Sequence, residues 1–401
     1  MSAESLQRKC LEAFATTFRS LPTLWARAPG RVELLGNHTD ANDGLILSAA
    51  IDRDTVVLGR PIEGSSARVS SINLNKEDAF KVVDPPRSLA GEWTQYVRGV
   101  VWALGRAMGD PECGFAATIA GEVPLGAGLS SSASLQAALA FFLLGAGIIP
   151  GRSAKLDDAA AMELAGILRR SENEFVGVGS GLMDQFSAIF GRSDHALMLD
   201  CRTLAFRRVP LGPPPPAIVI CDSMTSRKLA DGMYNKRRAE CERVVEFYRT
   251  RKGEDQVKSL RDVTLAELQA DWSRLDPIGR RRARHVLTEN DRVRRGVDAL
   301  EEGDLVSFGR LMSASHLSSA DDFENSSRAL DHLIKCASSA PGYLGGKLSG
   351  AGWAGCTVNL VRRESVDAFV ESVKADYARA MGLTPQIHVC RAADGASVSV
   401  T

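Results

Sequence analysis

A turn rich in proline and glycine, which delivers three consecutive serines into a long apolar run, constrains this chain more than any other stretch. It is Val123–Leu135, VPLGAGLSSSASL. Upstream, Phe115, Ala117 and Ile119 alternate as they would along a strand, and the chain then passes Pro124, Gly126 and Gly128. Ser130, Ser131 and Ser132 follow, and the run from Ala133 to Ile149 reads as helix. A loop that enters a helix in this way exposes backbone N–H groups without intrahelical partners, at the positive end of the helix dipole. Glycines let a ligand approach the backbone closely, and serine hydroxyls bond phosphate or ligate Mg²⁺. A polyphosphate fits such a loop; a capped core helix with a flexible entry is the alternative for the loop taken alone. The loop is not followed by a Walker GKS or GKT, and it lacks the GxGxxG spacing of a dinucleotide turn.

The pattern PxGxGLSSSAS resembles the phosphate-binding motif of the GHMP small-molecule kinases, which phosphorylate sugars and isoprenoid precursors from ATP. Upstream, Arg27–Asp52 (RAPGRVELLGNHTDANDGLILSAAID) is similar to the segment that lines the sugar pocket of galactokinases. Lys347–Leu360 (KLSGAGWAGCTVNL) resembles the third, glycine-rich GHMP motif, and Glu172–Gly191 (ENEFVGVGSGLMDQFSAIFG) resembles the stretch that supplies the catalytic aspartate. The four motifs occur in order, and the resemblance runs from about Trp25 to Ala393.

That resemblance implies an α+β, two-lobed GHMP-kinase-like fold with the active site in the cleft between lobes. The lobes are expected at 1–205, carrying the sugar motif, phosphate loop and catalytic aspartate, and at 206–401, carrying the third motif. It implies ATP and Mg²⁺ as co-substrate and metal, with Asp184 as base at the anomeric hydroxyl and Arg31 beside it, steadying charge as it forms. Pro124, Gly126, Ala127, Gly128, Leu129, Ser130, Ser131, Ser132 and Ala133 would hold the nucleotide phosphates. Ser132 and Glu172 would ligate the metal, whose hard character calls for oxygen donors. Trp93 and Tyr96 match a segment near the nucleotide, where an aromatic ring either stacks on a base or packs in the core. Gly181, just before the Leu182-Met183-Asp184 step, leaves room for a sugar.

Sugar recognition departs from the family pattern. Galactokinases typically read GEHTDYN where this chain has Gly36-Asn37-His38-Thr39-Asp40-Ala41-Asn42. His38, Asp40 and Tyr234 keep the sugar-binding types, since carboxylate and imidazole both suit hydroxyl groups. Asn37 stands where the family's glutamate binds the 6-hydroxyl. One reading keeps galactose, with a water bridging the shorter side chain. The other is a C6-modified hexose such as galacturonate, whose carboxylate the Asn37 amide would accommodate. A sugar-sensing regulator without turnover is the non-enzymatic alternative, and the intact serines and Asp184 argue against it.

Bulk properties agree. With 401 residues, 44% of them hydrophobic, the chain can build two lobes. Its formal net charge of zero gives no electrostatic case for nucleic acid or a membrane surface as partner, so the expected partners are a small sugar and ATP. The eight cysteines, at 10, 113, 201, 221, 241, 336, 356 and 390, contain no CxxC pair and suit buried thiols in a cytoplasmic protein. Strands are expected at Thr55–Leu58, Phe115–Ile119, Ala196–Leu199, Ala217–Cys221 and Thr357–Val361. Helices are expected at Leu156–Asn173, Met233–Thr250 and, after a cap at Thr288, Asn290–Glu302. The cluster Arg280, Arg281, Arg282 and Arg284 reads as a solvated helix face, and Pro213–Pro216 as a stiff surface connection near the lobe boundary. Trp353 and Ala354 replace the Phe-Gly more usual in the third motif, which matters where the backbone needs a positive φ.

Overall fold

A computed structural model describes residues 3–89, 92–124, 126–151, 153–225 and 232–401. The first half opens with helix α1 (Ala3–Phe18) and strands β1 (Leu24–Leu35), β2 (Leu45–Ile62), β3 (Ser66–Ser71) and β4 (Lys76–Lys81). Helix α2 (Thr94–Met108), strand β5 (Gly114–Gly121) and helices α3 (Ser131–Gly145), α4 (Asp158–Arg170) and α5 (Met183–Phe190) follow. Strands β6 (His195–Asp200) and β7 (Phe206–Pro210) close that half. The second half holds β8 (Ala217–Asp222), α6 (Met233–Lys252), α7 (Leu265–Ala270), α8 (Pro277–Glu301), α9 (Leu305–Ser318) and α10 (Arg328–Ser339). It ends with β9 (Tyr343–Leu348), β10 (Cys356–Val361), α11 (Val366–Met381), β11 (Gln386–Cys390) and β12 (Ser397–Val400).

The strands form two sheets. The larger runs β12-β1-β2-β5-β3-β4, with β6 on the first part of β2 and β7 outside β6. The smaller runs β11-β8-β10-β9 and is antiparallel throughout. All five expected strands lie within β2, β5, β6, β8 and β10. Sheet membership does not follow sequence order: Phe206–Pro210 and the terminal Ser397–Val400 both join the larger sheet, while the smaller begins at Ala217 after the proline run.

Helix α3 is apolar on nearly every side because it is buried on nearly every side, against β1, β2, α2 and α5. It ends at Gly145 rather than reaching Ile149, since a side chain at 145 would meet Val398 of β12 at 2.9 Å, and Gly147 then turns with φ 66°. Helix α4 starts on the cap Asp157, whose carboxylate accepts from Ala160 N, and passes at Ser171 into a π-helical turn, Ser171–Val176. A second core joins the sheets directly: Val32, Leu47 and Ile51 of the larger pack with Ile218, Ile220 and Val358 of the smaller, and with Val293 of α8 and Phe308 of α9.

Two expectations fail at α8. The helix begins at Pro277, capped by the Asp276 carboxylate, so Thr288 is interior and its hydroxyl donates to the Arg284 carbonyl. The arginines are not a solvated face either. Arg282 is fully buried, donating to Glu240 at 2.7 Å, to Glu324 at 2.6 Å and to the Asp322 carbonyl. Arg284 pairs with Asp322 and Arg281 with Glu324, while Arg280 lies over the Trp272 ring. The acceptors of Arg281, Arg282 and Arg284 lie about forty residues away in sequence, beyond the reach of any local charge pattern. All eight cysteines are free thiols. No described helix is long and apolar enough to cross a membrane.

Candidate active site

Between the two sheets lie two cavities that share one wall. The first, about 440 Å³, is lined by Arg31 and Glu33 of β1, by Asn37, His38 and Asp40 of the following turn, and by Tyr234 at the start of α6. The second, about 770 Å³, runs along the serine loop to Trp93 and Tyr96. Arg31, Ser180, Asp184 and Ala351 line both.

The loop owes its shape to left-handed residues at alternate positions: Gly126 (φ 75°), Gly128 (φ 77°) and Ser130 (φ 57°). Alternation of this kind turns neighbouring N–H groups toward one side, which suits an anion. Ser130 is not glycine, and the strain it carries falls at the entry to α3. Gly30 lets the loop lie on β1, because a Cβ there would sit 2.8 Å from the Leu129 carbonyl. Gly126, Gly128, Leu129, Ser130, Ser131 and Ser132 line the cavity; Pro124, Ala127 and Ala133 do not, and the last two are buried in the core.

Arg31 ties this loop to Asp184. Its backbone N–H donates to Leu129 O, Nη1 donates to Gly128 O at 2.7 Å, and Nε donates to Asp184 Oδ1 at 2.7 Å. Ser130 Oγ donates to Asp184 Oδ2 at 2.5 Å. Asp184 sits in the first turn of α5, where the helix dipole favours its charge. The Arg31 side chain is 6% exposed and the Asp184 side chain 23%, so the carboxylate is the member of the pair that a substrate reaches.

Glu172 lies in the π-helical turn, where it accepts from Ser132 Oγ at 3.2 Å, Ser180 Oγ at 2.7 Å and Gln185 Nε2 at 2.6 Å. Burial and the nearby Asp184 charge raise its pKa despite these donors. Its charge is therefore undercompensated on the protein side, beside a hydroxyl that faces the phosphate loop. Among the described residues no group of three or more His, Cys, Asp or Glu gathers to hold a metal unaided. Hence Ser132 and Glu172 fit a cation only where phosphate oxygens complete its shell.

In the first cavity, Gly181 makes room for Asp40: a Cβ at 181 would fall 1.9 Å from Asp40 Oδ2. Burial, then the charge of Glu33, push the Asp40 carboxyl up to about 6. His38 stacks on Phe323 with ring centroids 4.5 Å apart, and burial pulls its pKa down to about 3, so it is neutral. Its Nε2 lies 3.1 Å from the Ala351 carbonyl, which can only accept. The proton is thereby placed on Nε2, leaving Nδ1 an acceptor. The Asp40 charge, then burial, hold the Tyr234 phenol well above its ordinary pKa, as a donor.

Asn37 is placed differently from expectation. It is 1% exposed and its amide is fully used. Nδ2 donates to Glu33 Oε1 at 3.0 Å and to Gly350 O at 2.9 Å, while Oδ1 accepts from Asn325 at 2.8 Å and Ser319 at 3.3 Å. Glu33, Asn325 and Lys347 were not singled out from sequence. Alternation along β1 from Arg31 points to Glu33, and Lys347 opens the third glycine-rich motif; nothing local to Asn325 marks it.

Comparison with known proteins agrees with this geometry. A family model described as "Galactokinase galactose-binding signature" matches residues 12–61, "GHMP kinases N terminal domain" matches 95–192, and "GHMP kinases C terminal" matches 297–379. The chain is 45% identical to a galactokinase of Roseiflexus sp. (strain RS-1) over 384 residues, covering 96% of this chain and 95% of that one. It is 39% identical to a galactokinase of Pasteurella multocida, covering 98% and 99%. The crystal structure of Lactococcus lactis galactokinase complexed with galactose superposes with a TM-score of 0.90 at 32% identity, covering 98% of this chain and 99% of that one. A mevalonate kinase of Methanococcus jannaschii shares the fold, with a TM-score of 0.64 at 18% identity.

Proposed function

The chain belongs to the galactokinase family of GHMP kinases, and on that premise we propose that it transfers the γ-phosphoryl group of ATP to the anomeric hydroxyl of galactose, giving galactose 1-phosphate and ADP. The observation that carries this reading is the pair Arg31–Asp184, which lines both cavities at once. A sugar in the smaller and a nucleotide in the larger meet along this shared wall, where Arg31 and Asp184 supply its charges.

Phosphoryl transfer asks chiefly for alignment and for compensation of charge. Arg31 Nε and Nη2 both lie on Asp184 Oδ1, whereas Oδ2 has spare lone-pair capacity beyond its bond from Ser130, so the carboxylate takes the anomeric proton on Oδ2 without giving up its anchors. Arg31 stands beside the acceptor oxygen and, through the Gly128 carbonyl, fixes the phosphate loop against the sugar. Asp40 and His38 Nδ1 accept from sugar hydroxyls, and Tyr234 donates. The N–H groups from Gly126 to Ser132 hold the phosphates, and Trp93 and Tyr96 flank the base. Ser132 and Glu172 would hold Mg²⁺, which when bound neutralises phosphate charge. With all its cysteines free, the enzyme suits the reducing cytosol.

A galacturonate reading needs a free amide donor at Asn37, and both of its hydrogens are already given away. The Glu33 and Asp40 carboxylates in the same wall would also repel an acidic sugar. The decisive assay is ADP release with galactose, galacturonate and glucose. Galactose is expected to be preferred, and an Asp184→Asn variant that still binds both substrates is expected to lose roughly 10²–10⁴-fold in kcat. Turnover on galacturonate but not galactose, or undiminished turnover by the variant, overturns the reading.

A further inference from the structure

Glu33 has no task in the scheme above, yet its placement is costly. Burying a carboxylate against an ammonium is rarely a net gain over apolar packing. Here the ammonium is Lys347, fully buried, which donates to Glu33 Oε1 at 2.5 Å and to Leu348 O at 2.9 Å. Val32 and Leu34, on the opposite face of β1, are ordinary core, so the charge belongs to the face that Glu33 shares with Arg31. Glu33 lines the sugar cavity, with the fully buried Lys347 behind it.

Among the described residues only one oxygen of the carboxylate has partners. Oε1 accepts from Lys347 and from Asn37, whereas Oε2 accepts no hydrogen bond from the described residues. Glu33 and Arg31 lie on the same face of β1, in unbroken register with Ser48 and Ala50 of β2. Two residues of strand separate them by about 7 Å. Arg31 is at the reacting end, on Asp184. A hexose whose anomeric hydroxyl lies at Asp184 therefore presents the opposite edge, which carries the C4 and C6 hydroxyls, toward Glu33.

We propose that Glu33 is a specificity-determining residue whose free oxygen accepts a hydrogen bond from a hydroxyl on the C4–C6 edge of the sugar, held in place by Lys347 and Asn37. The inference rests on the galactose-kinase reading. Asn37 lines the same wall but has no donor or acceptor left, so the carboxylate beside it makes the contact. A buried acceptor built for a hydroxyl discriminates strongly against a substrate that lacks it, because the acceptor is then left unpaired.

The test compares galactose with 4-deoxygalactose and 6-deoxygalactose in the parent and two variants. Glu33→Gln combined with Lys347→Met removes both charges without stranding one. Glu33→Asp keeps the pair and withdraws the carboxylate by one methylene. The parent is expected to reject one deoxy sugar by ~100-fold or more in kcat/KM, and which one identifies the hydroxyl. The double variant is expected to shrink that ratio at least tenfold, chiefly through a raised galactose KM, with KM for ATP unchanged; Glu33→Asp shrinks it less. A folded variant of either kind that keeps the parental ratio overturns the proposal. A parent that releases no ADP with galactose overturns the function itself and takes this inference with it, whereas an active parent with unchanged ratios in the variants refutes the role of Glu33 alone.

Discussion

At the scale of single residues, the site is defined by carboxylates whose environments differ. Asp40, pushed up to about 6 by burial and by Glu33, accepts sugar hydroxyls on both of its oxygens only when ionised. kcat/KM for galactose is expected to fall about tenfold per pH unit below ~6, and the limb in kcat to lie lower, because hydroxyl donors in the complex favour the charged form. The sign for stability follows from the same shift. Since the folded pKa exceeds the unfolded one, the folded chain keeps a proton that the unfolded chain has released between about pH 4 and 6, and stability is lost as pH rises through that window. Galactose should therefore raise Tm more at pH 7 than at pH 5; an equal rise at both removes Asp40 from sugar binding. Ala354 concerns the backbone instead. It has φ 118°, a region suited to glycine, in a buried turn after Trp353 at φ 57°. Ala354→Gly is expected to stabilise by roughly 1–2 kcal/mol, a rise of ~2 °C in Tm for a chain of this size, measured by calorimetry. The sequence marked Arg31, His38, Asp40 and Asp184 because each lies in a compact local motif. It could not mark the fate of Asn37, whose partners Ser319, Asn325 and Gly350 lie some three hundred residues on.

At the scale of elements, the sugar cavity is braced from outside by the ion network that joins α6, α8 and the turn after α9. Arg237 of α6 donates to Phe323 O and Glu324 O, and Arg282 of α8 donates to Asp322 O, with Glu240 between the two guanidinium groups. These bonds hold a second π-helical turn, Ser319–Phe323, whose Phe323 ring lies under His38 and whose neighbour Asn325 holds Asn37. Arg282→Met takes the side-chain donor from the buried Asp322 carbonyl and leaves Glu240 with Arg237 alone, and is expected to cost about 3–5 kcal/mol. In the fraction that stays folded, KM for galactose should rise while KM for ATP stays put, since the turn lines neither cavity and packs behind His38 and Asn37, which line the first alone. Steady-state kinetics on the two substrates check this, and equal rises in both would show that the network supports the fold without shaping the sugar wall. The element was misread from sequence for a definable reason. Four arginines within five residues look solvated when their acceptors, Glu240, Asp322 and Glu324, are invisible to a window of one helix. Strands were legible because their β-branched and apolar runs carry their own signal.

At the scale of the whole molecule, the chain closes on itself around Asp184. The terminal strand β12 pairs Ser397–Val400 with Arg27–Leu24 of β1, and Val398 fits against Gly145 at the end of α3. Just before it, Gly395 N donates to Gly191 O and Ala396 N to Ala188 O, which fastens the far end of α5, the helix that presents Asp184. Arg27 adds bonds to the Asp394 and Gly395 carbonyls. A chain ending at Ala393 loses the β12 ladder together with the two backbone and two Arg27 bonds, and these last four alone, at about 1 kcal/mol each, make the loss at least on the order of 3–5 kcal/mol. The expected functional effect is on kcat more than on either KM, because α5 loosens while both cavity walls remain. How the loss is distributed tests the architecture. Val32, Leu47, Ile218, Val358, Val293 and Phe308 form one core across both sheets, so the lobes should melt together even though chains of this length commonly unfold in stages. Calorimetry of the truncated chain should then show a single transition, shifted down as a whole. A split trace, with one component left at the parental temperature, would mean that the second lobe stands without the first and that the shared core couples them too weakly to make the cleft one unit.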